Sequence, residues 1–158
     1  MRKLVCFFLG DRELAAPIDA VRETVDLRPI TPVFRTPASI AGITNLRGEI
    51  LAVLDPAVLL GLPPCPRGPA TRIVIVEPDD RRAGLLVDAL GPIRDVSAEQ
   101  IGPVPPSIAP AIAAMLDGIV SMPERPIGIV DVGRLLDAPE ILPFARSDRA
   151  ETPAAEMS

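Results

Sequence analysis

A chain of 158 residues with no histidine, 3% aromatic side chains and a net charge of −5 is defined first by what it lacks. Histidine acid–base catalysis, Ser-His-Asp and Cys-His nucleophiles, histidine phosphotransfer and nearly all zinc chemistry are excluded, and nucleic acid finds neither stacking platforms nor a basic track. With 48% hydrophobic and 23% charged residues, the chain is sized for one domain, or two small subdomains sharing a core, that buries about 70% of its unfolded surface.

Residues 4–9 form an apolar run of six. Asp11, Arg12 and Glu13 follow it at once with no cleavage site, so the run is unlike a signal peptide. No segment approaches the ~20 apolar residues of a membrane span, and a cytoplasmic location is expected. Comparable runs at 50–54, 73–76 and 85–87 are bounded by Gly, Pro or charge and are too short for helices. Strands apolar on both faces are covered on both faces, unlike those of an open sheet. Together with 20 prolines, they point to small barrels or a sandwich.

Residues 43–55 predict a hairpin: two β-prone runs flank a polar tip whose Gly48 takes a positive φ without steric cost, leaving Arg47 exposed at the turn. Asp55 and Pro56 then read as N-cap and N1 of a short helix that carries Val58, Leu59 and Leu60 and ends at Gly61. Residues 71–88 read as strand, polar turn, strand, with 91–96 continuing as a third. Residues 102–110 read as an extended crossing, and 119–120 with 127–130 as a last hairpin. From Arg146 onward charged and small residues dominate, so 146–158 is expected to be a disordered tail behind a domain spanning 1–145.

An internal echo runs through this pattern. Leu51-Ala-Val-Leu-Asp55-Pro-Ala-Val-Leu59-Leu60-Gly61 lines up without gaps on Ile127-Gly-Ile-Val-Asp131-Val-Gly-Arg-Leu135-Leu136-Asp137. Both read as strand, capping Asp and helical Leu pair. Duplication and the chance recurrence of a common strand-to-helix transition both account for it.

Candidate chemistry is sparse. Asp55, Asp88 and Asp131 each follow an apolar run, but the Asp-Thr/Ser-Gly loop of an aspartic protease is missing, and capping suits Asp55 and Asp131 better. Asp79 and Asp80 have no metal-ligand spacing, and no phosphate-binding glycine loop exists, so neither enzyme nor metal nor cofactor is expected. Cys6 reads as a buried free thiol; Cys65 lies in a Pro-rich loop, and two thiols leave a disulfide open. Binding features are stronger. Glu23 leaves an apolar patch, Arg47 sits on a rigid turn, and the two are expected to meet across the edge of a groove with an apolar floor.

With those residues in place, the chain resembles the CheW family of bacterial chemotaxis coupling proteins from about Val5 to Leu136. The resemblance rests on Phe8-Leu9-Gly10, Pro17-Ile18-x-x-Val21-x-Glu23, Thr36-Pro37-x-x-Ile40-x-Gly42, Thr44-Asn45-Leu46-Arg47-Gly48-Glu49-Ile50-x-x-Val53-x-Asp55, Gly84-Leu85-Leu86-Val87-Asp88 and Ile127-x-Ile129-x-Asp131-x-x-x-Leu135-Leu136. It departs from the usual pattern at Ala52 and Pro56, where Pro and Leu are common, and at Thr24 in place of Ile.

The resemblance implies a mainly β fold of two intertwined five-stranded SH3-like barrels with short helices. It implies a non-catalytic adaptor linking the cytoplasmic tips of methyl-accepting chemoreceptors to the regulatory domain of a CheA-type histidine kinase, in rings beneath receptor arrays, without membrane insertion. Its receptor-facing positions fall on Val21, Glu23, Thr31, Gly42, Arg47, Gly84 and Ile93, with Gly84 and Ile93 expected on the second subdomain as the far wall of the groove. The rival reading is a small barrel that regulates a kinase without any receptor.

Overall fold

The computed structural model describes residues 1–139 and 141, so the expected domain limit at 145 and the tail 146–158 lie outside the described residues. Strands β1 (Arg2–Leu9), β2 (Arg12–Pro17), β8 (Ala89–Val96), β9 (Ile101–Gly102), β10 (Leu116–Val120) and β11 (Ile127–Val130) form one sheet in the order β8-β1-β2-β11-β10-β9. Strands β3 (Val21–Asp26), β4 (Ile40–Leu46), β5 (Glu49–Leu54), β6 (Arg72–Val76) and β7 (Ala83–Val87) form the other in the order β3-β6-β7-β5-β4. Three one- to two-turn α-helices, α1 (Pro56–Leu59), α2 (Pro110–Ala113) and α3 (Val132–Asp137), and two 3-10 turns, Ile18–Ala20 and Ala98–Gln100, complete the regular elements among the described residues.

The two sheets share one topology. In each, a single parallel pair (β2 with β11, β5 with β7) is flanked by antiparallel ladders in matching positions. The N-terminal hairpin β1–β2 completes the sheet built mostly from the C-terminal half, which is how the subdomains intertwine. Residues 91–96 form a strand as expected, yet β8 leaves β7 and pairs with β1 in the other sheet.

Each sheet closes on itself by bending one strand. After β3, the chain crosses to the opposite edge, where Thr31 forms a bridge with Ile43 of β4 through hydrogen bonds of 2.8 and 2.9 Å. After β8, a 3-10 turn at Ala98–Gln100 carries the chain into β9, which pairs with β10. The sixth strand of the first sheet is therefore the far half of a bent fifth. Both closures pass over a glycine beside a β-bulge. A Cβ on Gly42 would lie 2.2 Å from the Thr31 carbonyl oxygen, and one on Gly118 3.1 Å from that of Gly102. Two five-stranded SH3-like barrels result.

Side-chain alternation explains why the central strands are apolar on both faces. Ile73 and Ile75 point into the β3–β7 barrel with Leu51, Val53 and Leu86, whereas Val74 and Val76 point out into a core shared with Leu54, Leu85, Phe7, Leu9 and Val130. Leu4, Cys6, Ile127 and Ile129 fill the other barrel. Helices α1 and α3 feed Leu60, Leu135 and Leu136 into the shared core.

The echo between 51–61 and 127–137 is realised in three dimensions. Asp55 and Asp131 end β5 and β11, and their amides donate to Ser39 and Met115, the residues just before β4 and β10. Their carboxylates diverge. Asp131 caps α3 as expected, accepting from the Arg134 amide at 3.0 Å. Asp55 stands at the N-cap position of α1 but makes no side-chain cap; it accepts instead from the Cys65 amide at 3.0 Å, pinning the Pro-rich loop. Burial holds its carboxyl above the ordinary range. Both cysteines are free and buried, and burial foremost pushes the Cys6 thiol up to about 11.

Candidate functional site

The β4–β5 hairpin turns through Arg47 and Gly48, whose φ values of 52° and 90° define a type I′ turn between the paired Leu46 and Glu49. Asparagine is the usual first residue of such a turn because its side chain tolerates the left-handed region; arginine is strained there. The turn is held regardless. Asn45 Oδ1 accepts the Gly48 amide at 2.9 Å, and Arg28 Nη1 donates to the Asn45 carbonyl at 3.2 Å. The strain is kept at an exposed tip, where the Arg47 side chain is 66% exposed.

Its partner is Glu23. Although β3 and β4 lie at opposite edges of their sheet, barrel curvature brings Arg47 Nη2 onto Glu23 Oε2. The Arg47 hydrogen bond, more than its charge, keeps the Glu23 carboxyl below its ordinary value. A depressed acid stays ionised above the ordinary carboxylate range and lets go only as pH falls through its lowered value, so the pair is intact at neutral pH. The expected meeting of these two residues is borne out.

Around the pair lies a trough of about 460 Å³ lined by Arg22, Glu23, Leu46, Arg47, Gly48, Glu49, Ile75 and Arg82. Leu46 and Ile75 close the bottom of the trough but are buried in the barrel core, so its accessible lining is formed by the charged side chains and the expected apolar floor is largely out of reach. Every residue belongs to the β3–β7 barrel, so the hollow is the mouth of one barrel rather than a cleft between two.

The other expected site residues separate into groups. Thr31 and Gly42 meet at the barrel closure, where Gly42 is buried beneath the Thr31 backbone. Gly84 is not on the second subdomain. It sits in β7, buried, with Ile73 Cγ2 2.7 Å from where a Cβ would stand, so it lies behind the trough and forms no wall. Val21 begins β3 and packs against the shared core. Ile93 is 60% exposed on β8 of the other barrel and does not line the trough.

Sequence reasoning missed Arg22, Glu49, Glu77 and Arg82. Arg82 binds Glu49 and, through Nε at 3.4 Å, Glu77, which also accepts from Arg22 Nη1 at 3.1 Å. The stretch 77–82 reads as a polar turn, and part of it is only that: Asp79 pairs with Arg81, which also reaches Asp137. Arg82 is the exception because it immediately precedes β7 and points back toward the hairpin.

Asp88 lines a second hollow of about 750 Å³ beside the Pro-rich loop and spends Oδ2 on the Gly10 amide at 2.9 Å; Asp55 does not line it. Among the described residues no group of His, Cys, Asp or Glu is placed to hold a metal ion, and no helix is long and apolar enough to cross a membrane.

The geometry has clear counterparts. Residues 3–140 match the model of the CheW-like domain. The chain is 35% identical over 141 residues to a probable chemotaxis protein CheW of Rhizobium etli, spanning 88% of this chain and 90% of that protein. It is 33% identical to protein FrzA of Myxococcus xanthus, spanning 85% of each. The crystal structure of the scaffolding protein TtCheW from Thermoanaerobacter tengcongensis superposes with a TM-score of 0.78 at 32% identity, covering 88% of this chain and 90% of that one. By sequence, by barrel topology and by the match along nearly its whole length, the chain belongs to the CheW-like domain family.

Proposed function

We propose that this chain is a non-catalytic cytoplasmic adaptor, recruited to receptor arrays, that couples the cytoplasmic tip of a methyl-accepting chemoreceptor to the regulatory domain of a CheA-type histidine kinase. Family membership carries the coarser reading, a chemotaxis scaffold. The observation that carries the finer one is the Arg47–Glu23 pair: a strained, exposed arginine fixed by a glutamate at the mouth of a barrel. A helical receptor tip meets the charged side chains around Arg47 and Glu23, which set its register over the mouth of the barrel. The kinase uses surfaces away from this trough, and rings with the kinase follow from two separate contact faces.

The test is a ternary assembly of receptor-bearing membranes, the kinase and this chain. The chain is expected to sediment with the membranes and to raise the autophosphorylation rate of the kinase. Arg47→Ala is expected to weaken membrane association about tenfold while leaving kinase affinity unchanged. Binding to the kinase with no receptor association in the native chain would replace the adaptor with a kinase-only module.

A further inference from the structure

The ion pair at the hairpin tip is one end of a longer chain of charges. Glu49 follows the turn that carries Arg47, and Glu77 holds Arg22, the neighbour of Glu23. Arg82 joins these two arms by binding Glu49 and Glu77 at once. Three arginines and three glutamates thus link β3 and the β4–β5 hairpin, whose outer strands are the two edges of the sheet, by way of the β6–β7 turn between them. Exposure grades along this chain. The Arg82 side chain is only 18% exposed, against 53% for Arg22 and 66% for Arg47. A partner therefore meets Arg47 first and Arg82 last. Removing the Arg82 charge would leave Glu49 without its partner and Glu77 with Arg22 alone, and the two carboxylates would push apart. A planar guanidinium can hold carboxylates from two elements together; an ammonium is a point charge that cannot offer the same fork.

We propose that Arg82 is a positioning residue of the docking trough: by clamping Glu49 of the hairpin to Glu77 of the β6–β7 turn, it fixes the angle at which Arg47 is presented to Glu23 and to an incoming partner. The inference rests on reading the trough as a docking site, but its first test needs no partner. The reporter is the Glu23 side-chain carboxyl, followed by carbon NMR across an acid titration of the full chain. The largest charges acting on Glu23 are those of Arg47, Arg22 and Arg28. Arg82→Lys keeps the positive charge and removes only the two-carboxylate fork, so a midpoint that moves in that variant reports the geometry of the hairpin rather than lost charge.

In Arg82→Gln the Glu23 midpoint is expected to rise toward the value it takes in Arg47→Ala, and Arg82→Lys is expected to fall between Arg82→Gln and the native chain. Arg72→Gln, which removes an ion pair to Asp26 on the same sheet, is expected to leave it unmoved. An Arg82→Gln midpoint equal to that of the native chain overturns the proposal. Should Arg82→Gln fail to fold, the same comparison runs on Arg82→Lys, where a native midpoint is equally fatal. Affinity for a receptor-tip fragment is expected to fall at least fivefold in Arg82→Gln. A moved Glu23 midpoint in a chain whose native form binds no receptor tip supports the clamp and overturns the docking reading instead.

Discussion

Gly42→Ala is expected to cost about 2–4 kcal/mol and to lower the melting temperature by about 10 °C. Two independent penalties act at this position. Its φ of 149° lies in a region that L-residues rarely adopt, and the new methyl group would stand 2.2 Å from the Thr31 carbonyl oxygen and 2.8 Å from Ile30 Cγ2. The Thr31 carbonyl cannot retreat without breaking its hydrogen bond from the Ile43 amide, the contact that closes the barrel. Gly48→Ala isolates the first penalty, because Gly48 also has a positive φ but has nothing within reach of a Cβ. Thermal unfolding of both variants should show Gly42→Ala several degrees worse than Gly48→Ala. Equal losses would show that the closure does not depend on this close approach. Gly42 stands among the residues the family resemblance assigns to receptor docking; in this fold, any effect of its loss on docking is first an effect on the barrel that carries the trough.

The second large effect is expected at Arg94, and the equivalence of the barrels explains why. Val53 pairs with Gly84 as Ile129 pairs with Ala15, so Arg82 and Glu13 hold equivalent places two residues earlier. In the β3–β7 barrel that place holds a cation at an open mouth. In the other it holds a carboxylate only 5% exposed, bound by Arg94 Nε at 3.2 Å. Taking one partner from a buried pair strands the other charge, which costs about 3–5 kcal/mol when water is excluded. Arg94 is 27% exposed, so water can partly replace it, and Arg94→Met is expected to cost about 2–3 kcal/mol, just below that range. Glu13→Gln combined with Arg94→Met should recover more than half of the loss. Chemical denaturation reads both; a single variant within about 0.5 kcal/mol of the native chain would mean that Glu13 finds solvent or another donor without Arg94.

What the sequence revealed follows from where each strand lies. Runs such as 73–76 and 127–130 stand out because one face fills a barrel and the other the shared core. Strand β2 is as fully buried as these, but its first residues are Arg12 and Glu13 and its middle is two alanines, so neither periodicity nor β-branching marks it. Strand β3 alternates, with Val21, Glu23 and Val25 half-buried and Arg22, Thr24 and Asp26 exposed, a pattern too short and too polar to stand out as a strand. Helix α2 is too short to show a period, and β9, two residues long, exists only as the tail of a bent strand.

The site divides along the same line. Arg47 was legible because a hairpin fixes its turn locally. Glu23 was legible as a charge leaving an apolar patch. Arg82, Glu49, Glu77 and Arg22 were not, since their pairing requires the two edges of a sheet to be folded together, which no local pattern encodes. Gly84 was misplaced for the converse reason. Its neighbours in sequence suggest a second hairpin on its own subdomain, but the parallel pairing of β5 with β7 holds it in the first. The change from an expected cleft between barrels to a single barrel mouth leaves the docking reading with a smaller, more highly charged face.

The most direct measurement is a titration of the isotope-labelled chain with a receptor cytoplasmic-tip fragment, following backbone amides and arginine side chains by NMR. The account predicts that the largest shifts fall on Glu23, Leu46, Arg47, Gly48 and Ile75, and that Arg47→Ala needs about ten times more fragment to produce them while the spectrum of the free variant stays folded. Shifts confined to the β8–β1 face around Ile93, with the hairpin tip silent, would contradict it.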